Sequence, residues 1–401
     1  MDQFNNQDGE LLINGHKLSK LHQKAEGRAF YAYDRSVITN KIQNFRNLMP
    51  AGLKLHYAMK ANPMPQLVNF ISEQVDGLDV ASGNELKVAL KSSTASKDIS
   101  FAGPGKQIDE LKDAVNAEIT INIESQTELE RVNTICQQIG KKAKVAIRVN
   151  PDFELKASGM KMGGGSQQFG IDAEEVPKVA KMIYDYNLDY QGLHIFTGSQ
   201  NLNANSLIEA HKNIFELATR LQRGFNQSIK SLNIGGGLGI PYFPGDTPLD
   251  LNPISEALSP HIEKFKQEFG ETHIAMELGR YLVGDCGVYV AEITDVKTSR
   301  GSLFAVINGG LHHHLSVSGN FGQVIRKNYP VAIGNKLDQE PFIPVQVVGS
   351  LCTPLDLMAH KYPLPRVEIG DLFVIYQSGA YGYTASPINF LSHPHPVELL
   401  V

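Results

Sequence analysis

The chain has 401 residues, 42% of them hydrophobic and 20% charged, with a net charge of −5. That balance allows a large core and more than one domain, and it excludes the basic footprint of a nucleic-acid or anionic-membrane binder. No apolar run is long enough to span a bilayer, and three widely spaced cysteines, Cys136, Cys286 and Cys352, offer neither a disulfide framework nor metal-ligand spacing.

The opening Met1-Asp2-Gln3-Phe4-Asn5-Asn6 is polar and lacks the basic-then-apolar order of a secretion signal, so a cytoplasmic location is expected. Residues 1–27 carry too little apolar material to fold alone and are expected to lean on another part of the protein. Phe30-Tyr31-Ala32-Tyr33 reads as a strand, after which Asp34 caps a helix with Val37, Ile38, Ile42, Phe45 and Leu48 at helical spacing. A short apolar strand at 54–59 then ends in Lys60 and is broken by Asn62-Pro63. Further strands are expected at 77–80, 99–102, 119–123, 145–149, 191–196, 232–234 and 274–277. Helical patterns alternate with them, for example at 85–90, 128–139, 176–184, 207–221 and 254–269. Eight strand-helix units over about 250 residues have the count and length of a closed α/β barrel, a (β/α)8 TIM barrel. After Gly284 strands follow without helices between them, at 288–296, 303–307, 342–348 and 371–376, which predicts a mainly β domain. The expected organisation is an N-terminal segment, 1–27, that completes the β domain, a barrel over 28–284, and the β domain over 285–401.

In a parallel barrel the residues just past each strand share one mouth, where active sites lie. Here they are Lys60, Asp79, Arg148, Gly198-Ser199-Gln200, Gly235-Gly236-Gly237, and Glu277 with Gly279-Arg280. Taken alone, Lys60 is a solvated surface residue and the glycine run a flexible turn. In company they differ: glycine-rich loops after strands seven and eight are where barrels bind phosphate, and a lysine amine condenses with carbonyls. Together they point to a phosphate-bearing carbonyl cofactor, pyridoxal 5'-phosphate, whose ring nitrogen takes Glu277 as its acidic partner.

Over nearly its whole length the chain resembles the fold type III pyridoxal-phosphate decarboxylases, the group of diaminopimelate and ornithine decarboxylases with an alanine-racemase-like barrel. The resemblance is carried by Tyr57-Ala58-Met59-Lys60-Ala61-Asn62, Asp79-Val80-Ala81-Ser82, Arg148-Val149-Asn150-Pro151-Asp152, Gly198-Ser199-Gln200, the triple glycine, Glu277-Leu278-Gly279-Arg280, Gly349-Ser350-Leu351-Cys352 and Ser378-Gly379-Ala380-Tyr381. It implies that Lys60 carries the cofactor covalently, that Glu277 pairs with the ring nitrogen, and that Asp79 and Arg148 lie beside them. By the same resemblance Ser199, Gly236, Gly237, Gly279, Arg280 and Tyr381 hold the phosphate, and Arg280, Thr353 and Tyr381 meet the substrate. The family is a homodimer with shared active sites, so Cys352, the expected proton donor to the α-carbon, is expected to serve the neighbouring subunit.

Three positions depart from that pattern. Phe196 stands where an imidazole usually stacks on the cofactor ring, with His194 one strand step away on the same face. Leu278 replaces the usual proline before Gly279. Thr353 follows the cysteine where diaminopimelate and ornithine decarboxylases carry an acid for the far end of a diamino acid, which weakens the case for such a substrate. A closer resemblance is to a subgroup from biosynthetic clusters, carried by Met160-Lys161-Met162-Gly163-Gly164, Gly309-Gly310-Leu311-His312-His313-His314, Asn328-Tyr329-Pro330, Cys352-Thr353-Pro354 and Ser392-His393-Pro394. Some of its members resemble decarboxylases of a glutamyl group on an acyl-carrier protein, which makes such a carrier an expected partner; others accompany exopolysaccharide or exosortase systems. Three consecutive side chains cannot converge on one ion without an irregular backbone, so no metal is expected at His312, His313 and His314. Residues 285–401 argue against two other readings: a racemase using Lys60 and a tyrosine as opposed bases lacks the Cys352 segment, and a non-catalytic cofactor carrier lacks the second domain.

Overall fold

A computed structural model describes residues 3–154, 160, 161, 163–243, 245–319 and 327–401. Met162, within the run at 160–164, lies outside the described residues. The chain forms two units, one of residues 41–240 and 247–281, the other of 1–40, 241–246 and 282–401.

The first unit is the barrel. Its strands are β1 (Leu53–Ala58), β2 (Gly77–Val80), β3 (Ile99–Phe101), β4 (Thr120–Ile123), β5 (Lys144–Asn150), β6 (Asp189–Ile195), β7 (Ser231–Asn233) and β8 (His273–Leu278). Each pairs in parallel with the next and β8 pairs with β1, so the sheet closes on itself. All eight strands expected from the sequence are present. Covered on both faces, they are nearly continuously buried, as in Gly77–Val80 and from Val145 to Asn150. The helices between them start and stop on their own sequence signals. The Ser82 side chain accepts the amide of Glu85 before Gly83–Ala89, and the Ser125 side chain accepts that of Glu128 before Gln126–Ile139, which ends at Gly140 with φ 72°.

The second unit is built on a mixed sheet with Gly287–Ser299 as its spine. The start of that long strand pairs antiparallel with Phe30–Tyr33 on one side and Leu372–Ile375 on the other; its far end pairs with Ser302–Ile307. Ser302–Ile307 continues to Ile343–Val348 and Leu357–Leu364, while Val397–Leu400 adds a parallel partner to Phe30–Tyr33. The N-terminal segment contributes a meander of Asn5–Gln7, Glu10–Ile13 and His16–Lys17, and the Leu11 amide donates to the Gly334 carbonyl at 2.7 Å. Buried Leu11, Ile13, Leu18 and Leu21 give this segment its apolar anchor. Asp34 caps the following helix as expected, accepting the amides of Ser36 and Val37 at 2.7 and 3.2 Å.

Candidate active site

Lys60 sits in a single 3-10 turn, Met59–Ala61, directly after β1. Asn62 closes this turn, its side chain accepting the Met64 amide at 3.2 Å while its carbonyl takes the Tyr57 hydroxyl at 2.9 Å. The Lys60 side chain is 38% exposed and its Nζ stands 3.5 Å from Glu277 Oε1. Glu277 is buried on β8, where the ladder sets it beside His56 of β1. Its other oxygen lies 3.1 Å from His194 Nε2, a contact of position rather than an aligned hydrogen bond. Burial alone would raise the Glu277 pKa, but Lys60, His194 and Arg148 outweigh it and hold the carboxyl well below the usual carboxylate range.

The ladder also explains how residues distant in sequence share one level. Arg148 on β5 pairs with His194 on β6, which pairs with Asn233 on β7. Asn233 in turn accepts the Gly235 amide at 2.9 Å and so braces the glycine turn. Phe196, just past β6, is buried, and Lys60 Nζ lies 5.3 Å from its ring centroid. On the opposite side Asp79 accepts the Ser100 hydroxyl and lies 3.3 Å from His56 Nδ1. Burial of His56 opposes its protonation, yet the adjacent Asp79 carboxylate prevails and raises its pKa.

Arg148 is itself held by a buried network that the sequence reading did not contain. Its guanidinium donates to Glu124 Oε1 at 2.8 Å, and Glu124 also accepts the amides of Gly103 and Gly170. Alongside, Lys106 Nζ reaches Glu128 Oε1 at 2.9 Å and the carbonyls of Gly103 and Asn122 at 2.8 Å. Burial opposes ionisation of Glu124, but Arg148 and Lys106 overcome it and lower its pKa.

The glycines at the mouth are required by close approach. A Cβ on Gly236 would collide with the Glu277 carbonyl, and one on Gly279 would lie 2.9 Å from Ala61 Cβ and 3.0 Å from the Ala58 carbonyl. The Asn201 amide donates to the Gly237 carbonyl at 2.9 Å, tying the Gly198–Ser199 strand region to the same turn. Arg280 begins the short helix Arg280–Val283 after β8. We expect Gly236→Ala to cost about 3 kcal/mol or more, because backbone rather than a side-chain tip must yield; chemical denaturation of the two proteins measures it.

Lys60, Asp79, Arg148, Phe196, Gly236, Gly237, Glu277 and Gly279 are therefore drawn to one end of the barrel. To them the structure adds His56, His194, Asn233 and Glu124. This set fits pyridoxal 5'-phosphate: an amine for its aldehyde, a buried carboxylate for its ring nitrogen, an apolar ring for its face and glycine turns for its phosphate. Asp79 Oδ2 and His194 Nδ1 are buried without a hydrogen-bond partner among the described residues, which is uncommon for buried polar atoms unless a ligand satisfies them.

Cys352, Thr353 and Tyr381 belong to the second unit. Cys352 is exposed there, the Thr353 hydroxyl accepts the Leu355 amide at 3.3 Å, and Tyr381 has a left-handed backbone with φ 53°. His312, His313 and His314 are all buried. His313 bridges the Tyr289 hydroxyl at 3.0 Å and the Pro394 carbonyl at 2.9 Å, and His314 contacts the Ser378 hydroxyl at 3.0 Å. Desolvation lowers their pKa values to about 3, 4 and 3 in chain order, so they are neutral at physiological pH. Among the described residues no group of three or more His, Cys, Asp or Glu could hold a metal ion, and no helix is long and apolar enough to cross a membrane.

A closed parallel barrel with a lysine and a buried glutamate at one mouth, followed by a β unit, defines a class of pyridoxal-phosphate enzyme. Residues 35–284 match the family model of the pyridoxal-dependent decarboxylases, pyridoxal binding domain. The chain belongs to this family of fold type III decarboxylases, which uses pyridoxal phosphate, and it is a carboxy-lyase of that kind. It is 34% identical to the L-glutamyl-[BtrI acyl-carrier protein] decarboxylase of Niallia circulans, over 92% of this chain and 88% of that one. The 2-[(L-alanin-3-ylcarbamoyl)methyl]-2-hydroxybutanedioate decarboxylase of Staphylococcus aureus is 31% identical, over 94% of this chain and 95% of that one. Among solved structures, diaminopimelate decarboxylase from M. jannaschii in complex with L-lysine superposes with a TM-score of 0.88 at 25% identity, covering 99% of this chain and 92% of that chain.

Proposed function

We propose that this carboxy-lyase acts on an α-amino acid whose far end is neutral, foremost a glutamyl group carried as a thioester on an acyl-carrier protein. The observation that carries the substrate is Thr353, directly after Cys352, where an acid would be needed to receive a distal ammonium. One named relative supports it: it acts on a carrier-bound glutamyl group.

In this reading Lys60 would hold the cofactor through its aldehyde, and Glu277 would pair with the ring nitrogen and keep it protonated. Phe196 would offer its ring to the cofactor, and His194, 3.1 Å from Glu277, would help to hold that carboxylate. Ser199, Gly236, Gly237, Gly279 and Arg280 surround the phosphate. When bound, pyridoxal 5'-phosphate supplies the sink for the electron pair released with CO2. The enzyme is a homodimer, and Cys352 of the partner subunit returns a proton to the carbon that lost CO2.

Cys352→Ala should therefore retain cofactor and substrate binding while losing most turnover, with some substrate leaving as a carbonyl compound instead of the amine. Mixed with Lys60→Ala in equal amounts, it should regain about a quarter of wild-type activity, since random exchange makes half the dimers hybrids with one intact site. No recovery after verified exchange would mean that each site is built within one chain.

The substrate itself is tested by steady-state assays on carrier-bound L-glutamate beside free lysine, ornithine and diaminopimelate. A buried ammonium without a carboxylate costs several kcal/mol, so kcat/KM for the free diamino acids should be lower by roughly two orders of magnitude or more. Efficient turnover of a free diamino acid, with none of the thioester, would sink the carrier reading and make this a diamino-acid decarboxylase.

A further inference from the structure

Cys352 stands at the exposed end of a loop whose base is organised by one buried carboxylate, Asp356. Asp356 Oδ2 accepts the Leu351 amide at 2.9 Å, immediately before the cysteine, and its Oδ1 accepts the Leu311 amide at 2.6 Å from the turn that opens the histidine triplet. The main chain reinforces both arms: the Gly349 amide donates to the Asp356 carbonyl at 3.0 Å, the Asp356 amide to the Thr353 carbonyl at 3.2 Å, and the Ser350 amide to the Gly309 carbonyl at 3.1 Å. Gly310 and Gly349 lie so close that a Cβ on either would strike the carboxylate, at 2.6 Å for Gly310. Both turns are thus moulded around this one side chain.

We propose that Asp356 is a positioning residue for the thiol of Cys352, fixing the loop that presents it to the reacting carbon. The inference rests on the reading of Cys352 as the proton donor. A carboxylate with two acceptors suits two amides that approach from two different turns. The isosteric Asn offers one acceptor and turns an N–H donor toward the other amide, so one arm must open. Loss of CO2 precedes the proton transfer and takes no proton from Cys352; delivery of the proton is the step that depends on where the loop holds the thiol.

The test compares wild-type, Asp356→Asn and Cys352→Ala holoenzymes for CO2 released in the first turnover, for the ratio of carbonyl product to amine, and for the rate at which iodoacetamide modifies Cys352. Asp356→Asn should release CO2 within about twofold of wild type, while its carbonyl fraction rises roughly tenfold, since displacements near 1 Å impair a transfer to that extent or more. Modification of Cys352 should change several-fold in the same protein. Should Asp356→Asn fail to fold, Asp356→Ser, which retains one acceptor, carries the same comparison. An unchanged product ratio and unchanged thiol modification, with Cys352→Ala shifting the ratio, would overturn the role of Asp356 and leave the proton donor in place. If Cys352→Ala does not shift the ratio either, the donor reading falls and the inference with it.

Discussion

Lys60→Ala should lose turnover by roughly four orders of magnitude or more, the scale at which removal of a covalent group disables an enzyme. Among the described residues, neither Lys106 nor Lys54 can stand in. Lys106 is buried, but its three donors are committed to Glu128 and to the carbonyls of Gly103 and Asn122. Lys54 lies earlier on β1 and is paired with Asp76 at 3.2 Å. Because Lys60 also supplies positive charge 3.5 Å from Glu277, the alanine variant removes two things at once. Lys60→Arg separates them: the charge beside Glu277 stays, the condensing amine goes, and turnover should remain abolished. Measuring kcat and bound cofactor in both variants distinguishes loss of the nucleophile from loss of the ion pair. An arginine variant with near wild-type turnover would mean that Lys60 acts only as a charge.

Glu277→Gln should lower kcat/KM by roughly two to three orders of magnitude, as removal of a preorganised charge from a buried site commonly does. The carboxylate is ionised in spite of its burial because Lys60, His194 and Arg148 surround it. Glutamine has the same shape and keeps the hydrogen-bonding reach, so the fold should survive; Lys60 is 38% exposed and Arg148 keeps Glu124 as its own partner. What disappears is the negative charge that, in the proposed function, would keep a proton on the cofactor ring. Glu277→Asp retains the charge on a shorter arm and should fall between the two. Equal kcat/KM in Glu277→Gln and wild type would remove Glu277 from the chemistry.

Strand positions were legible because each barrel strand is a short apolar run bounded by turn residues, and a parallel barrel buries both of its faces. The strand-end residues were legible for the same reason: once the period is known, Lys60, Asp79, Arg148 and Glu277 fall at one edge. Side-chain partnerships across the barrel were not. Glu124, just past β4, meets Arg148 on β5, and His194 on β6 meets Glu277 on β8, only once these strands pair in register, a property of the ladder rather than of local spacing. His56 directly precedes the lysine motif, yet its link to Asp79 depends on the pairing of β1 with β2. In the β unit, Leu357–Leu364 escaped notice because His360, Lys361 and Pro363 interrupt its apolar pattern. Val397–Leu400 follows a proline-rich stretch and draws its pairing from Phe30–Tyr33, near the other end of the chain. The clamp of Asp356 likewise joins turns that lie far apart in sequence.

In the proposed function Lys60 holds a pyridoxal cofactor beside Glu277. Reduction of the purified, cofactor-loaded protein with borohydride, followed by peptide mapping, tests it most directly, because reduction makes the link to the amine permanent. The protein should be yellow and bleach on reduction, with the pyridoxyl group recovered on the peptide containing Lys60. Recovery on another lysine, or a protein that binds no cofactor under loading conditions, would contradict it.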